Sequence, residues 1–328
     1  MLTDYFLPHL LGGTERVVYE ISKRMIKRGH EVTVLTLNAH GHKEFSRERA
    51  ISIHRIPAIS LTKLVGAQLT VSPHSLTEAN RILKQIQPDI IHAHNLYFNL
   101  TAVAPVVKRW RHLPLVTTLH LPKVRYGRAI LDGIISLYQR TVCEFIVRSS
   151  DKLTAVSKSV LKHAIEDLKV PWSKISIIPN GVDTNAYVPS NRRSENTVIT
   201  YVGRLIGNKG PQYLIQAAPR ILRSHPEVHI HIVGEGPLKT YLVKQVASEK
   251  LENNVHFFGN VADTIPILQE TSIFVRSSLT EGMSLAVLEA MACGLPVVAS
   301  NVEGNAEIVE NNITGFLVPP ADPGALVE

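Results

Sequence analysis

Cysteine is scarce in this chain: Cys143 and Cys293 are the only two in 328 residues. They lie far apart in helical-looking stretches, so they offer neither a disulfide framework nor a metal-ligand spacing, and they suit a reducing compartment. Long apolar runs are missing as well. None approaches the roughly 18 residues that a membrane-spanning helix needs. The start, Met1-Leu2-Thr3-Asp4, lacks the basic region followed by an apolar one that marks a secreted chain. The cytoplasm is the expected compartment. Aromatic residues make up 6% and charged residues 19%, against 45% hydrophobic, which is the composition of an ordinary folded protein and not of a disordered one. The length suits two domains, taking about 150 residues for each.

Charge is present but unevenly spread. Residues 1–185 carry 25 Lys and Arg against 14 Asp and Glu, a net of +11, whereas residues 186–328 carry 10 against 14, a net of −4. The densest basic cluster is Lys108, Arg109, Arg111, Lys123, Arg125 and Arg128. Such a half suits an anionic partner (a membrane surface, a phosphorylated acceptor or nucleic acid) or is simply a solvated basic face.

The stretch from Leu279 to Gly294 is the most informative in the chain. It reads as a loop feeding a helix, with Thr280 as N-cap, Glu281 at the positive end of the helix dipole, and Leu285, Leu288, Met291 and Ala292 at helical spacing. Gly294 and Pro296 supply the stop. Glu281 and Glu289 would then lie about 12 Å apart along the axis and roughly 80° apart around it. Two such carboxylates can grip opposite ends of an extended ligand. The N–H groups of Gly282, Met283, Ser284 and Leu285 would face its anionic middle. A sugar nucleotide has that shape; two carboxylates on a solvated face are the plain alternative.

Taken in order, the rest of the chain alternates strand and helix. Gly12-Gly13 lies on a loop before a helical pattern, with Thr14 as its expected N-cap and too few residues ahead for a full strand. Apolar β-branched runs follow at Glu31–Leu37, Ile51–Ile56, Asp89–His94, Leu115–Leu119 and Lys152–Val156, with helical patterns near Ser75–Gln87 and Ile130–Arg148. This alternation predicts doubly wound parallel sheets, in which ligands bind beyond the carboxyl ends of the strands. His92, His94 and His120 fall at such ends. His120 suits a hydrogen-bonding or polarising role toward a ligand, and His92 and His94 suit packing; their spacing argues little for a metal. The polar, aperiodic stretch 186–196 reads as a linker between residues 1–185 and 197–328. Beyond it, Val198–Val202 leads into Gly203-Arg204 and Gly207-Asn208-Lys209-Gly210. An Arg and a Lys on a glycine-bearing loop suit a diphosphate. The loop lacks both the Walker A spacing and the dinucleotide-binding glycine pattern. Strand candidates continue to Phe316-Leu317-Val318.

In chain order, the Gly12-Gly13 loop, His120, Ile178-Pro179-Asn180-Gly181-Val182-Asp183, Val202-Gly203-Arg204-Leu205 with Lys209-Gly210, Gly234-Glu235-Gly236-Pro237, and Glu281 with Glu289 in a Glu-x7-Glu pattern resemble the retaining glycosyltransferase family 4, of the GT-B fold. The resemblance spans nearly the whole chain. It implies two Rossmann-like α/β domains facing a cleft, an acceptor-side domain at 1–185 and a nucleotide-sugar domain at 197–328. Both ends would be trimmed, with the first strand clipped and the last helices missing. It implies Gly13, Arg204 and Lys209 on the donor diphosphate, Glu289 on the ribose, and Glu281 with Gly282, Met283, Ser284 and Leu285 at the donor sugar and phosphate. His120 would stand near that sugar. Hexosyl transfer with retention is expected, in cell-envelope glycan or glycolipid synthesis, without cofactor or metal and without nucleic acid. The acceptor is expected to be a glycan, a small molecule, or lipid-linked or anionic, with peripheral contact at the inner membrane face. Arg276 departs from the family pattern. The competing expectations are a nucleotide-sugar 2-epimerase of the related fold and, more weakly, a two-lobed sugar-binding protein.

Overall fold

The computed structural model describes residues 1–8, 12–39, 41–62, 69–122, 129–190 and 196–328, so Lys123, Arg125 and Arg128 and residues 191–195 of the linker-like stretch lie outside the described residues. The chain forms two compact units, Met1–Pro179 and Asn180–Glu328.

In the first unit, the parallel strands Ile91–His94, Leu115–Leu119, Lys152–Ala155 and Ile175–Ile177 lie side by side in that order. The strands Thr33–Asn38 and Ile51–Pro57 pair in parallel, with Phe45–Glu48 antiparallel on the outer edge. Leu2 joins the two groups, bridging both Leu35 and Ala93, so the opening residues occupy the central strand position despite their shortness. Leu2 is buried, which contributes about 2 kcal/mol by area alone. The next residues supply a helix cap from a distance. Asp4 accepts the backbone N–H groups of Asn99 (2.6 Å) and Leu100 (2.9 Å), two of the unpaired donors that open the helix Asn99–Arg111. Leu100, Ala104 and Val107, at spacings of four and three, pack that helix onto the core around Leu2, Leu35 and Ile91.

The second unit is one six-stranded parallel sheet in the order Val255–Gly259, His229–Val233, Val198–Val202, Ile273–Arg276, Val297–Ser300, Gly315–Val318. Its strands are near-continuous apolar runs because helices cover both faces. Pro211–Ser224 buries Leu214, Ile215, Ala218, Ile221 and Leu222 against Ile230 and Ile232. On the other face Leu285–Ala292 buries Val287 and Ala290 against Phe274, Val297 and Ala299. Among the described residues no helix is long and apolar enough to cross a membrane.

Two expected helix starts are corrected. The helix Gly13–Lys27 is entered from Gly12 in extended conformation, so Thr14 lies inside the first turn and is not the N-cap. The helix in the Leu279–Gly294 stretch runs from Leu285 to Ala292 with Ser284, not Thr280, as N-cap, its hydroxyl accepting from Val287 N–H.

Candidate functional site

In an open α/β sheet, a crevice forms at the carboxyl ends of the two strands where the winding order reverses. In the second unit these are Val198–Val202 and Ile273–Arg276, which are neighbours in the sheet but distant in sequence. The loops leaving them are locked together. Leu279 N–H donates to Asn208 O (2.9 Å) and Ser277 Oγ to Gly210 O (2.6 Å). Gly210 has φ +69°, and a Cβ on it would lie 1.8 Å from Ser277 O, so only glycine closes this turn.

Three expected site residues, Arg204, Lys209 and Glu281, converge here, joined by Arg276. Glu281 is buried. Its Oε1 accepts from Arg276 Nε (2.8 Å) and Nη2 (2.5 Å), and its Oε2 accepts from Lys209 Nζ (2.8 Å). Arg276, also buried, uses Nη1 on Val202 O (2.7 Å) and lies over the Tyr201 ring at 5.5 Å. Tyr201 Oη in turn donates to Lys209 O (3.0 Å), which ties the cationic loop to its strand. Burial would raise the Glu281 carboxyl, but Arg276 and Lys209 outweigh it and hold the group down to about 2. Burial pulls the Lys209 ammonium down to about 8; Glu281 opposes this, while Arg276 and Arg204 add to it.

With the helix starting at Leu285, Glu281 lies in the turn before it, and the helical separation expected between Glu281 and Glu289 does not hold. Gly282, Met283 and Ser284 form that turn, and Met283 O accepts from Asn180 Nδ2 (3.2 Å), so the Asn180-Gly181 motif braces it. Glu289 is on the helix and buried; its charge adds to burial in raising the Cys293 thiol.

The first unit has a corresponding crevice, between the Leu2 segment and Ile91–His94, and it holds different chemistry. His94 Nδ1 and His120 Nε2 share one hydrogen bond (3.2 Å), and His92 Nε2 meets Thr118 Oγ1 (2.7 Å). His94 Nε2 is buried without a hydrogen-bond partner. Burial lowers all three imidazoles, His92 to about 4, His120 to about 3 and His94 well below its ordinary value, so each is neutral near pH 7. Asp4 goes the other way: burial raises it to about 7, its two N–H bonds oppose this and Glu15 adds to it. Gly13 is exposed at the start of its helix, above the buried Glu15. Among the described residues no group of three or more His, Cys, Asp or Glu is arranged to hold a metal ion.

Sequence reasoning did not place Arg276 or Asp4 at a site, and it gave His94 only a supporting or packing role. A charged residue closing an apolar strand at its carboxyl end is the one signal in the sequence that could have marked Arg276.

Two family models cover the chain. Residues 11–186 match "Glycosyltransferase Family 4" and residues 184–328 match "Glycosyl transferases group 1". Similar curated proteins include glycogen synthase of Mycobacterium tuberculosis, 28% identical over 99% of this chain and 83% of that protein. Another is a phosphatidylinositol N-acetylglucosaminyltransferase component of Arabidopsis thaliana, 27% identical over 98% of this chain and 71% of that protein. Among solved structures, Anabaena HepE in complex with UDP and glucose matches with a TM-score of 0.77 at 22% identity, over 99% of this chain and 86% of that one. WaaG, a glycosyltransferase involved in lipopolysaccharide biosynthesis, matches with a TM-score of 0.73 at 18% identity, over 99% and 88%. These likenesses show the GT-B fold.

Proposed function

The chain belongs to glycosyltransferase family 4, and from that premise we propose that it transfers a hexosyl group from a nucleoside-diphosphate sugar to an acceptor, with retention of configuration. The observation that carries this reading is the charge at the second unit's crevice, where two cations, Lys209 and Arg276, hold the one carboxylate of Glu281. That surplus of cation suits an anionic ligand. Departure of a nucleoside diphosphate builds negative charge on phosphate oxygens, and preorganised cations stabilise it. Arg204 and Lys209 take the diphosphate, with Gly13 as a phosphate-facing glycine. Glu289 takes the ribose. Glu281 and the turn Gly282–Leu285 meet the sugar and phosphate. His120, a neutral imidazole, offers a hydrogen bond to the transferred sugar, which becomes oxocarbenium-like as the bond breaks. Glu281 is not assigned as a nucleophile: a carboxylate engaged by two cations and held near 2 is a weak base. The second unit supplies most of the donor's contacts, and the acceptor is held mainly by the first.

The test is incubation of the whole chain with UDP-glucose, UDP-N-acetylglucosamine, GDP-mannose and ADP-glucose and an acceptor extract, following free nucleoside diphosphate and isomerised donor. Release of nucleoside diphosphate with glycosylated product supports the reading. Isomerised donor without release, or no turnover of any donor, contradicts it.

For the acceptor we propose a lipid-linked or otherwise anionic molecule reached by peripheral contact with the inner membrane face. The basic first unit supports this, with Arg109 beside Trp110, both exposed, although Lys108 is engaged by Asp151 (2.7 Å) and Arg111 by Asn80 (2.7 Å). Salt-sensitive binding to vesicles of anionic lipid is expected; no binding at low salt sinks the membrane contact.

A further inference from the structure

Arg276 and Lys209 hold the same carboxylate in different ways. Arg276 is fixed from several sides: two of its nitrogens are on Glu281 Oε1, a third is on Val202 O, and its plane lies over Tyr201. The space it fills is specific, since a Cβ on Gly203 would lie 2.2 Å from Nη1. Lys209 reaches Glu281 through one flexible ammonium contact at 2.8 Å. An anion entering the crevice therefore meets one cation that can turn toward it and one that cannot. Were Lys209 to leave without Arg276 in place, Glu281 would be a buried carboxylate with neither of its present cations, a state that burial drives toward protonation.

We infer that Arg276 is a positioning residue for the donor step: it keeps Glu281 seated while Lys209 moves from Glu281 Oε2 to the donor diphosphate, freeing Oε2 to accept a hydrogen bond from a donor-sugar hydroxyl. This rests on the reading that Lys209 binds the diphosphate. The exchange conserves charge pairing. In the free protein two cations share one carboxylate; with donor bound, Arg276 keeps the carboxylate and Lys209 joins Arg204 on the phosphates. The charged and titratable groups around Lys209 are Glu281 from the turn, Arg276 and Tyr201 from the two strands, and Arg204 from its own loop. The arginine is suited to this role because its planar fork holds one oxygen from two directions while its remaining donor anchors it to the backbone.

The experiment is steady-state kinetics on the whole chain, with whichever of the four named donors turns over, for Arg276→Met, Arg276→Lys and Lys209→Ala. For Arg276→Met, kcat is expected to fall about 100-fold through misplacement of Glu281, with a much smaller change in donor KM. The acid limb of its kcat profile is expected to move up by about 1–3 pH units, because Glu281 loses a close cation. Arg276→Lys is expected to restore the acid limb, by keeping the charge, and only part of kcat, because the fork is gone. Lys209→Ala is expected to raise donor KM. Unchanged kcat and acid limb in Arg276→Met overturn the inference, as does a lowered melting temperature with both unaltered, which marks a merely structural role. Should Arg276→Met not fold, Arg276→Lys decides: wild-type kcat overturns the inference, and reduced kcat with the acid limb in place supports it. If Lys209→Ala leaves donor KM unchanged, the diphosphate reading falls and the inference with it. If it raises KM while the Arg276 variants behave as wild type, the inference alone falls.

Discussion

The two units place a buried carboxylate at the same kind of position, the crevice where the sheet's winding reverses, and give it opposite fates. Asp4 in the first unit receives backbone N–H groups and is raised by burial to about 7. Glu281 in the second receives a guanidinium and an ammonium, which outweigh burial and hold it to about 2. Beside Asp4 the charged neighbour is another carboxylate, Glu15; beside Glu281 the neighbours are the cations Arg276 and Lys209. Sheet topology therefore decides where a ligand can bind, and a few side chains decide what sort. The second crevice is built for charge, and the first for hydrogen bonds between uncharged groups.

The comparison breaks most sharply at Glu281. Glu281→Gln leaves Arg276 and Lys209 without their carboxylate, and chemical denaturation should show a loss of about 3–5 kcal/mol, as for a broken buried pair. A loss under about 1 kcal/mol would put the pair on a par with surface ion pairs and remove the contrast. The pH dependence of the two groups should also differ in sign. Glu281 has a depressed folded value, so its stabilisation is present above its ordinary 4.5 and is lost as pH falls toward 2. Asp4 has a raised folded value, so the folded state holds the extra proton between its ordinary 3.8 and about 7, and stability declines as pH rises through that window. Asp4→Asn gives up one cap acceptor, a cost of about 1 kcal/mol, but escapes that decline. Melting temperatures measured across the window should therefore show the variant gaining on the wild type as pH rises. A constant difference would mean that Asp4 does not titrate there.

Much of this was legible in the sequence. The alternating apolar runs located the parallel strands to within one or two residues, because strands covered on both faces must be apolar along their length. Phe45–Glu48 escaped because an edge strand reading Phe-Ser-Arg-Glu carries no such run. Thr280 and Ser284 are both competent caps, and the choice between them depends on where Glu281 is drawn by Arg276 and Lys209, which spacing along a helix does not encode. Arg276 itself reads as a solvated strand end until its partner, five residues on, is seen to be buried with it. The strand-end position of His120 suggested a ligand-facing hydrogen bond, but its place at the donor sugar, and that of Gly13 at the phosphate, came from the family resemblance. The neutrality of His120 follows only from burial and its neighbour His92, which are properties of the packed unit.

The cations of the second crevice are expected to receive the donor's diphosphate. Calorimetric titration of the whole chain with UDP from about pH 7 to about pH 9 tests this most directly, since phosphate groups with a second pKa near 6 are already almost fully charged there. Lys209 titrates near 8 in the free protein, so affinity should fall as pH rises through that value, and Lys209→Ala should bind UDP weakly with little pH dependence. UDP binding that is flat across the range, and as tight in Lys209→Ala as in the wild type, would contradict the account.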